Sequence, residues 1–302
     1  MQDAIQLDRP TWLVEGLVSS SLTLLSGKPK SGKSGLVQGL IAAILRNEPF
    51  LERPVLREVR RIIVVGTDPD AVIEYRDRLL DAGVTVEEAG DRLVIVKALR
   101  LNAELCRLVA EELRPAAGDV VVLDHLSDME GDFNSQADVA NVFGNIRAAT
   151  GEAAVVVLAH SSTAVGQNGF SSKKPLGSTV IEGKARWIIH LEPRGASQRI
   201  LTTRGNSGRG EVLRLETGDH AADFLVGSVE TPEEAQIAGR RSRNKSTLEK
   251  RAEQCRWYEA NCKGLSKAEA SRRLSKEFGD TMNTWANRLT PSGWLGQMLA
   301  RR

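Results

Sequence analysis

Residues 27–34 read Gly-Lys-Pro-Lys-Ser-Gly-Lys-Ser. They fit, without a mismatch, the G-x-x-x-x-G-K-S/T spacing of a phosphate-cradling loop. A loop that wraps a triphosphate must turn its backbone N–H groups inward, and Gly27 and Gly32 permit that turn. Lys28, Lys30, Ser31 and Gly35 complete the expected nucleotide-binding set. The apolar run before the loop, 21–25, reads as a strand, and 35–45 reads as a helix whose positive end would face the anion. Lys33 would then reach the β- and γ-phosphate oxygens, and the Ser34 hydroxyl would ligate Mg²⁺. The expected ligands are ATP and magnesium.

Val120–Asp124 (Val-Val-Val-Leu-Asp) supplies a matching carboxylate. Four apolar residues bury a strand, and Asp124 ends it where open α/β sheets place ligands. A carboxylate there can hold Mg²⁺ near Ser34. A second apolar strand, Val155–His160, ends in a polar tip of His160, Ser161, Ser162 and Thr163.

This succession of parts, over roughly residues 10–227, resembles the RecA-like ATPase core, and most closely its RepA-type and DnaB-type replicative helicase branch. The resemblance implies that His160 senses the γ-phosphate. It also implies an acidic residue, typically in Glu-Asp-Pro, that polarises the attacking water. Here the segment is Thr67-Asp68-Pro69. A threonine hydroxyl is a poor base because its pKa lies far above neutrality. Asp68 is therefore the expected base, with Asp70 and Glu74 as alternatives, and turnover is expected to be slow or to serve a switch. Thr202-Thr203-Arg204-Gly205-Asn206 resembles the family's Lys-x-Arg-Asn-Gly segment. Arg204, or alternatively Arg186, would be a finger reaching a neighbour's γ-phosphate, which implies a homo-oligomer and, by resemblance, a hexamer.

By the same resemblance, DNA, expected to be single-stranded, would meet two central segments. In 165–178, Gly166 and Gly169 confer mobility, Lys173 and Lys174 can neutralise phosphates, and Phe170 offers a stacking face. The other, 126–136, is acidic. With Asp124, its Asp128, Glu130 and Asp132 could instead hold a divalent metal that cuts phosphodiesters, so a nuclease is one rival reading. An ATP-gated DNA-binding mediator with little turnover is another.

These residues need a scaffold. Near-continuous Val/Ile/Leu runs at 61–66, 93–97, 119–123 and 154–159 alternate with helical patterns at 70–82, 103–113 and 137–149. That is the pattern of a parallel sheet covered on both faces. Short runs at 187–191, 199–203, 211–215 and 222–226 suggest antiparallel strands added to its edge. The expected fold is α/β, a RecA-like P-loop NTPase core over 1–227. A linker at 228–245 would lead to a small helical, helix-turn-helix-like domain over 246–302, with Thr281–Arg288 as its possible reading helix.

The net charge of +2 hides an asymmetry. From Gln236 onward the chain has fifteen Lys/Arg against six Asp/Glu, while the remainder has 26 against 33. A basic tail on a mildly acidic body points to nucleic acid. No apolar run approaches the ~20 residues needed to span a bilayer, and no leader-like start is visible. Cys106, Cys255 and Cys262 lack zinc spacing. A cytoplasmic protein with reduced thiols and no membrane partner is expected.

Overall fold

The computed structural model describes residues 12–126, 132, 135–161, 179–205 and 210–300. The chain divides into two compact units, Met1–Pro232 and Glu233–Arg302.

In the first unit, β1 (Trp12–Val14) and β2 (Val18–Ser19) form a small antiparallel ribbon. The order then runs β3 (Leu22–Gly27), α1 (Lys33–Arg46), β4 (Arg61–Gly66), α2 (Ala71–Asp81), the short α3 (Val86–Ala89) and β5 (Leu93–Lys97). There follow α4 (Ala103–Leu108), which widens into a π-turn at Val109–Leu113, β6 (Asp119–Asp124), α5 (Gln136–Thr150), β7 (Ala154–His160) and α6 (Thr179–Lys184). Four strands close the unit: β8 (Trp187–Arg194), β9 (Gln198–Gly205), β10 (Val212–Thr217) and β11 (Phe224–Glu230).

Nine strands make one sheet in the order β11-β10-β9-β8-β3-β7-β6-β4-β5. From β8 to β5 every pairing is parallel, and β8 to β11 are antiparallel. The apolar runs are continuous because both faces are covered. Val120 and Val122 of β6 pack with Leu36 and Ile41 of α1, while Val121 and Leu123 pack with Phe143 and Ile146 of α5. Alternate residues of a strand point to opposite faces, so a two-sided core needs an apolar residue at every position. This is the P-loop NTPase fold, with the expected antiparallel strands at its edge.

The entry to β6 is tied by charge. The Asp119 carboxylate is fully buried and accepts hydrogen bonds from Arg60 (3.0 and 2.7 Å), from Arg61 (3.1 Å) and from the Ala116 N–H (3.1 Å). Burial alone would raise its pKa, but these bonds together hold it below the ordinary carboxylate value.

The second unit takes α7 (Pro232–Asn261) from its second residue onward, with α8 (Lys267–Phe278), α9 (Met282–Arg288) and α10 (Trp294–Ala300). Cys255, Leu274, Trp285 and Leu295 are its fully buried centre. Ser266 caps α8 by accepting from the Glu269 N–H, and Thr281 caps α9 by accepting from the Thr284 N–H. One expectation needs correction. The stretch expected to be a linker, 228–245, is strand to Glu230 and helix from Pro232. Its lack of an apolar stripe hid a helix that charged residues carry. The helix α10, beyond the expected reader, was not foreseen.

Candidate functional site

Strand β3 delivers the chain to the loop at Gly27, where space is minimal. A Cβ there would stand 2.6 Å from the Leu191 carbonyl oxygen and 2.7 Å from Ser31 Oγ. The loop then curls through left-handed residues, Lys30 at φ 60° and Gly32 at φ 97°. Helix α1 starts immediately, with no side chain capping it and no acidic residue in its first turn. Its first N–H groups are thus left to an outside acceptor, and an anion is the natural one. Ser31 Oγ is buried with no hydrogen-bond partner among the described residues, which fits a loop built around a ligand. The residues therefore fit a bound polyphosphate.

Lys33 lies inside this curl. Its ammonium donates to the Gly27 and Lys28 carbonyls, both at 3.1 Å, and to His160 Nδ1 at 3.2 Å. An ammonium only donates, so His160 Nδ1 accepts and its other nitrogen carries the proton. Burial lowers the Lys33 pKa to about 8, while the Asp124 carboxylate works in the opposite sense.

Sheet register brings the rest to the same edge. Gly27 pairs with His160 across β3 and β7, and Gly66 pairs with Asp124 across β4 and β6. The His125 and His160 rings meet edge-on, with centroids 4.6 Å apart. Tyr75 of α2 donates its hydroxyl to Asp124 Oδ2 at 2.8 Å. Burial, then the Asp124 charge and this bond, push the phenol pKa well up, so Tyr75 remains a donor. These groups open on a cleft of about 700 Å³ whose walls include Lys30, Ser34, Asp68, Asp124, His160 and Arg199.

Thr67 is pinned. Its N–H donates to the Asp124 carbonyl at 2.8 Å, its hydroxyl to the same oxygen at 3.3 Å, and Oγ1 accepts from the His125 N–H at 3.2 Å. The side chain joins the tips of β4 and β6, where the RepA-type resemblance would put a base. Asp68, exposed on the cleft wall, stands next to it, and Glu74 is paired with Arg78 at 3.0 Å.

Lys28 enters the site through its carbonyl. Arg204 does not join the cleft. It pairs with Ile188 in the β8–β9 register, towards the sheet edge opposite the strand tips, and its guanidinium is ion-paired with Glu182. Arg186 lies at that same edge, its N–H donating to the Leu22 carbonyl at 2.9 Å. Neither arginine reaches this chain's own cleft. Phe170, Lys173, Lys174, Asp128, Glu130 and Asn206 lie outside the described residues. Asp132 donates its N–H to Asp138 Oδ2 at 2.9 Å. Among the described residues no cluster of His, Cys, Asp and Glu is placed to hold a metal through three or more of them.

Sequence reading missed three residues here. Arg199 Nε donates to the Ser31 carbonyl at 3.0 Å. The Phe224 ring stands 3.5 Å from where a Gly32 Cβ would be. Tyr75 was legible only as an apolar position, through the i, i+4 spacing of Ala71, Tyr75 and Leu79, all buried.

A family model described as AAA domain matches residues 2–164, a span that holds the cradle, Thr67, Asp124 and His160. No curated protein matches the chain.

Proposed function

Since the chain belongs to the AAA domain family of P-loop ATPases, we infer that the cleft binds Mg-ATP and that the protein is an ATPase acting on DNA, of the replicative-helicase type. The observation that carries the nucleotide reading is the cradle itself: a glycine with no room for a Cβ, an uncapped helix start and a buried lysine that lines one cleft with Asp124.

Phosphate oxygens are stronger acceptors for the Lys33 ammonium than the two carbonyls it now serves, because the bond gains charge on both sides. Ser34 and Asp124 would hold magnesium, which would supply positive charge to offset that of the phosphates. His160 offers a protonated nitrogen at the tip of β7. Asp68 is the proposed base for the attacking water. Arg204 would act only on another copy's cleft, so a ring of subunits, taken as a hexamer, belongs to this reading.

DNA enters on charge and resemblance. The basic second unit and the segment with Phe170, Lys173 and Lys174 are the proposed contacts, and single strands the proposed form. Arg288 of α9 is already engaged within the unit, over the Trp285 ring at 4.5 Å and with Asp280 at 2.8 Å. Phosphate contacts are therefore assigned to other basic residues. No helix among the described residues is long and apolar enough to cross a membrane, and a cytoplasmic location is proposed.

The pinned Thr67 favours a second reading, an ATP-gated DNA-binding protein with little turnover. Both are tested by measuring nucleotide binding and hydrolysis with and without single-stranded DNA. Lys33→Ala is expected to abolish hydrolysis, and retained turnover would refute the phosphate contacts. Hydrolysis stimulated by DNA supports the motor. DNA affinity that differs between ATP and ADP without appreciable turnover supports the switch.

A further inference from the structure

Tyr75 is one of two tyrosines in the chain and is only 2% exposed. A buried phenol needs a hydrogen-bond partner, and this one has Asp124 Oδ2 at 2.8 Å. The choice of partner has consequences for the site. A carboxylate with one oxygen held by a fixed donor loses its freedom to rotate, so its other oxygen is presented in one direction. The donor is neutral, so the carboxylate keeps its full charge for a cation. An arginine or lysine in the same place would neutralise it. The backbone of Asp124 is fixed as well, because its carbonyl accepts from both the N–H and the hydroxyl of Thr67. Helix α2 is itself a wall of the cleft, through Ala71, Glu74 and Arg78 beside Tyr75.

We propose that Tyr75 is a positioning residue for magnesium: acting through Asp124, its hydroxyl orients the carboxylate and so sets the Mg²⁺ concentration at which nucleotide is held. The inference rests on the assignment of the cleft to Mg-nucleotide. Partners of metal ligands typically matter about 10–100-fold in metal affinity.

The test is titration of Mg²⁺ into the full chain with a fluorescent ATP analogue, for wild type and Tyr75→Phe. The variant keeps the ring and removes the hydroxyl. Its analogue affinity in EDTA is expected to match wild type, because the cradle and Lys33 are untouched. Its Mg²⁺ midpoint is expected to rise about tenfold. An unchanged midpoint, with or without a lower melting temperature, overturns the proposal and leaves Tyr75 a packing residue. Tyr75→Phe added to Asp124→Asn should give no further shift, and a further shift overturns the route through Asp124. A wild type with no magnesium-dependent binding sinks the nucleotide reading itself, a distinct failure.

The native side chain gives a readout that does not depend on the variant folding. Ring-fluorinated tyrosine labels Tyr75 and Tyr258, and the resonance remaining in Tyr258→Phe belongs to Tyr75. That resonance is expected to move when Mg²⁺ is added to nucleotide-loaded protein. A stationary resonance overturns the proposal.

Discussion

Thr67 stands where the family resemblance places a carboxylate, and its hydrogen bonds to Asp124 and His125 explain what it does instead. It holds the tips of two adjacent strands together, so that Asp124 and Asp68 keep their places on the cleft wall. Thr67→Val removes the hydroxyl's bonds to the Asp124 carbonyl and the His125 N–H and leaves that carbonyl its backbone donor. The expected result is a stability loss of about 1–2 kcal/mol in urea unfolding, with hydrolysis retained. Abolished hydrolysis at unchanged stability would make the hydroxyl part of the chemistry. Arg199 acts on the cradle from a distant strand by bonding the Ser31 carbonyl. Arg199→Ala is expected to loosen the loop and weaken ATP binding roughly tenfold, about the 1.4 kcal/mol that one charged hydrogen bond can supply. Calorimetric titration checks this, and unchanged affinity would reduce the contact to surface trim.

Helix α1 is packed against a turn, and glycine decides how closely. A Cβ at Gly35 would lie 2.2 Å from the Ala221 carbonyl oxygen, and one at Gly39 2.5 Å from that of Ala222. In an open helix, Gly→Ala stabilises by about 1 kcal/mol. At Gly39 the new methyl meets backbone, which cannot rotate away, and overpacking of this kind costs about 1–3 kcal/mol. Gly39→Ala is therefore expected to lower stability and to shift the turn that carries Phe224, which a urea midpoint and a nucleotide titration would both register. Strand β6 has a charge-tied start. Asp119 has a depressed folded pKa, so its contribution is present above the unfolded carboxylate pKa and is lost as pH falls through the folded value. Asp119→Asn should destabilise the protein near neutrality and flatten the acid limb of its stability–pH curve. A parallel limb in the variant would show that other carboxylates control acid unfolding.

The two units divide the proposed labour. Each has its own buried centre, so a chain ending at Pro232 is expected to keep Mg-ATP binding. It is also expected to bind DNA more weakly and with a flatter dependence on salt, since fewer cations are released per complex. Equal affinity and equal slope in the truncated protein would reassign the second unit to assembly. What a linear reading could see was whatever neighbouring residues decide together. The cradle qualifies because its anion-holding groups are consecutive and its left-handed turns are local. The strands β4 to β7 qualify because a two-sided core prints itself as an unbroken apolar run. The helix over 232–245 was missed, since a charged helix has no apolar stripe to show. Beyond these, residue pattern gives the face of an element and leaves its neighbours open. Tyr75 meets Asp124 across 49 positions and Arg199 meets Ser31 across 168. Both contacts depend on the order in which crossovers laid the strands side by side. The same strand order sends Arg204 to the far edge of the sheet, because an antiparallel return carries the chain away from the tips where the parallel strands end. The amino-acid order thus fixed the chemistry that this protein can offer a phosphate, a property of one short segment. Only long-range packing decided which residues steady that segment and its aspartate, because those partners share a strand edge and not a stretch of chain.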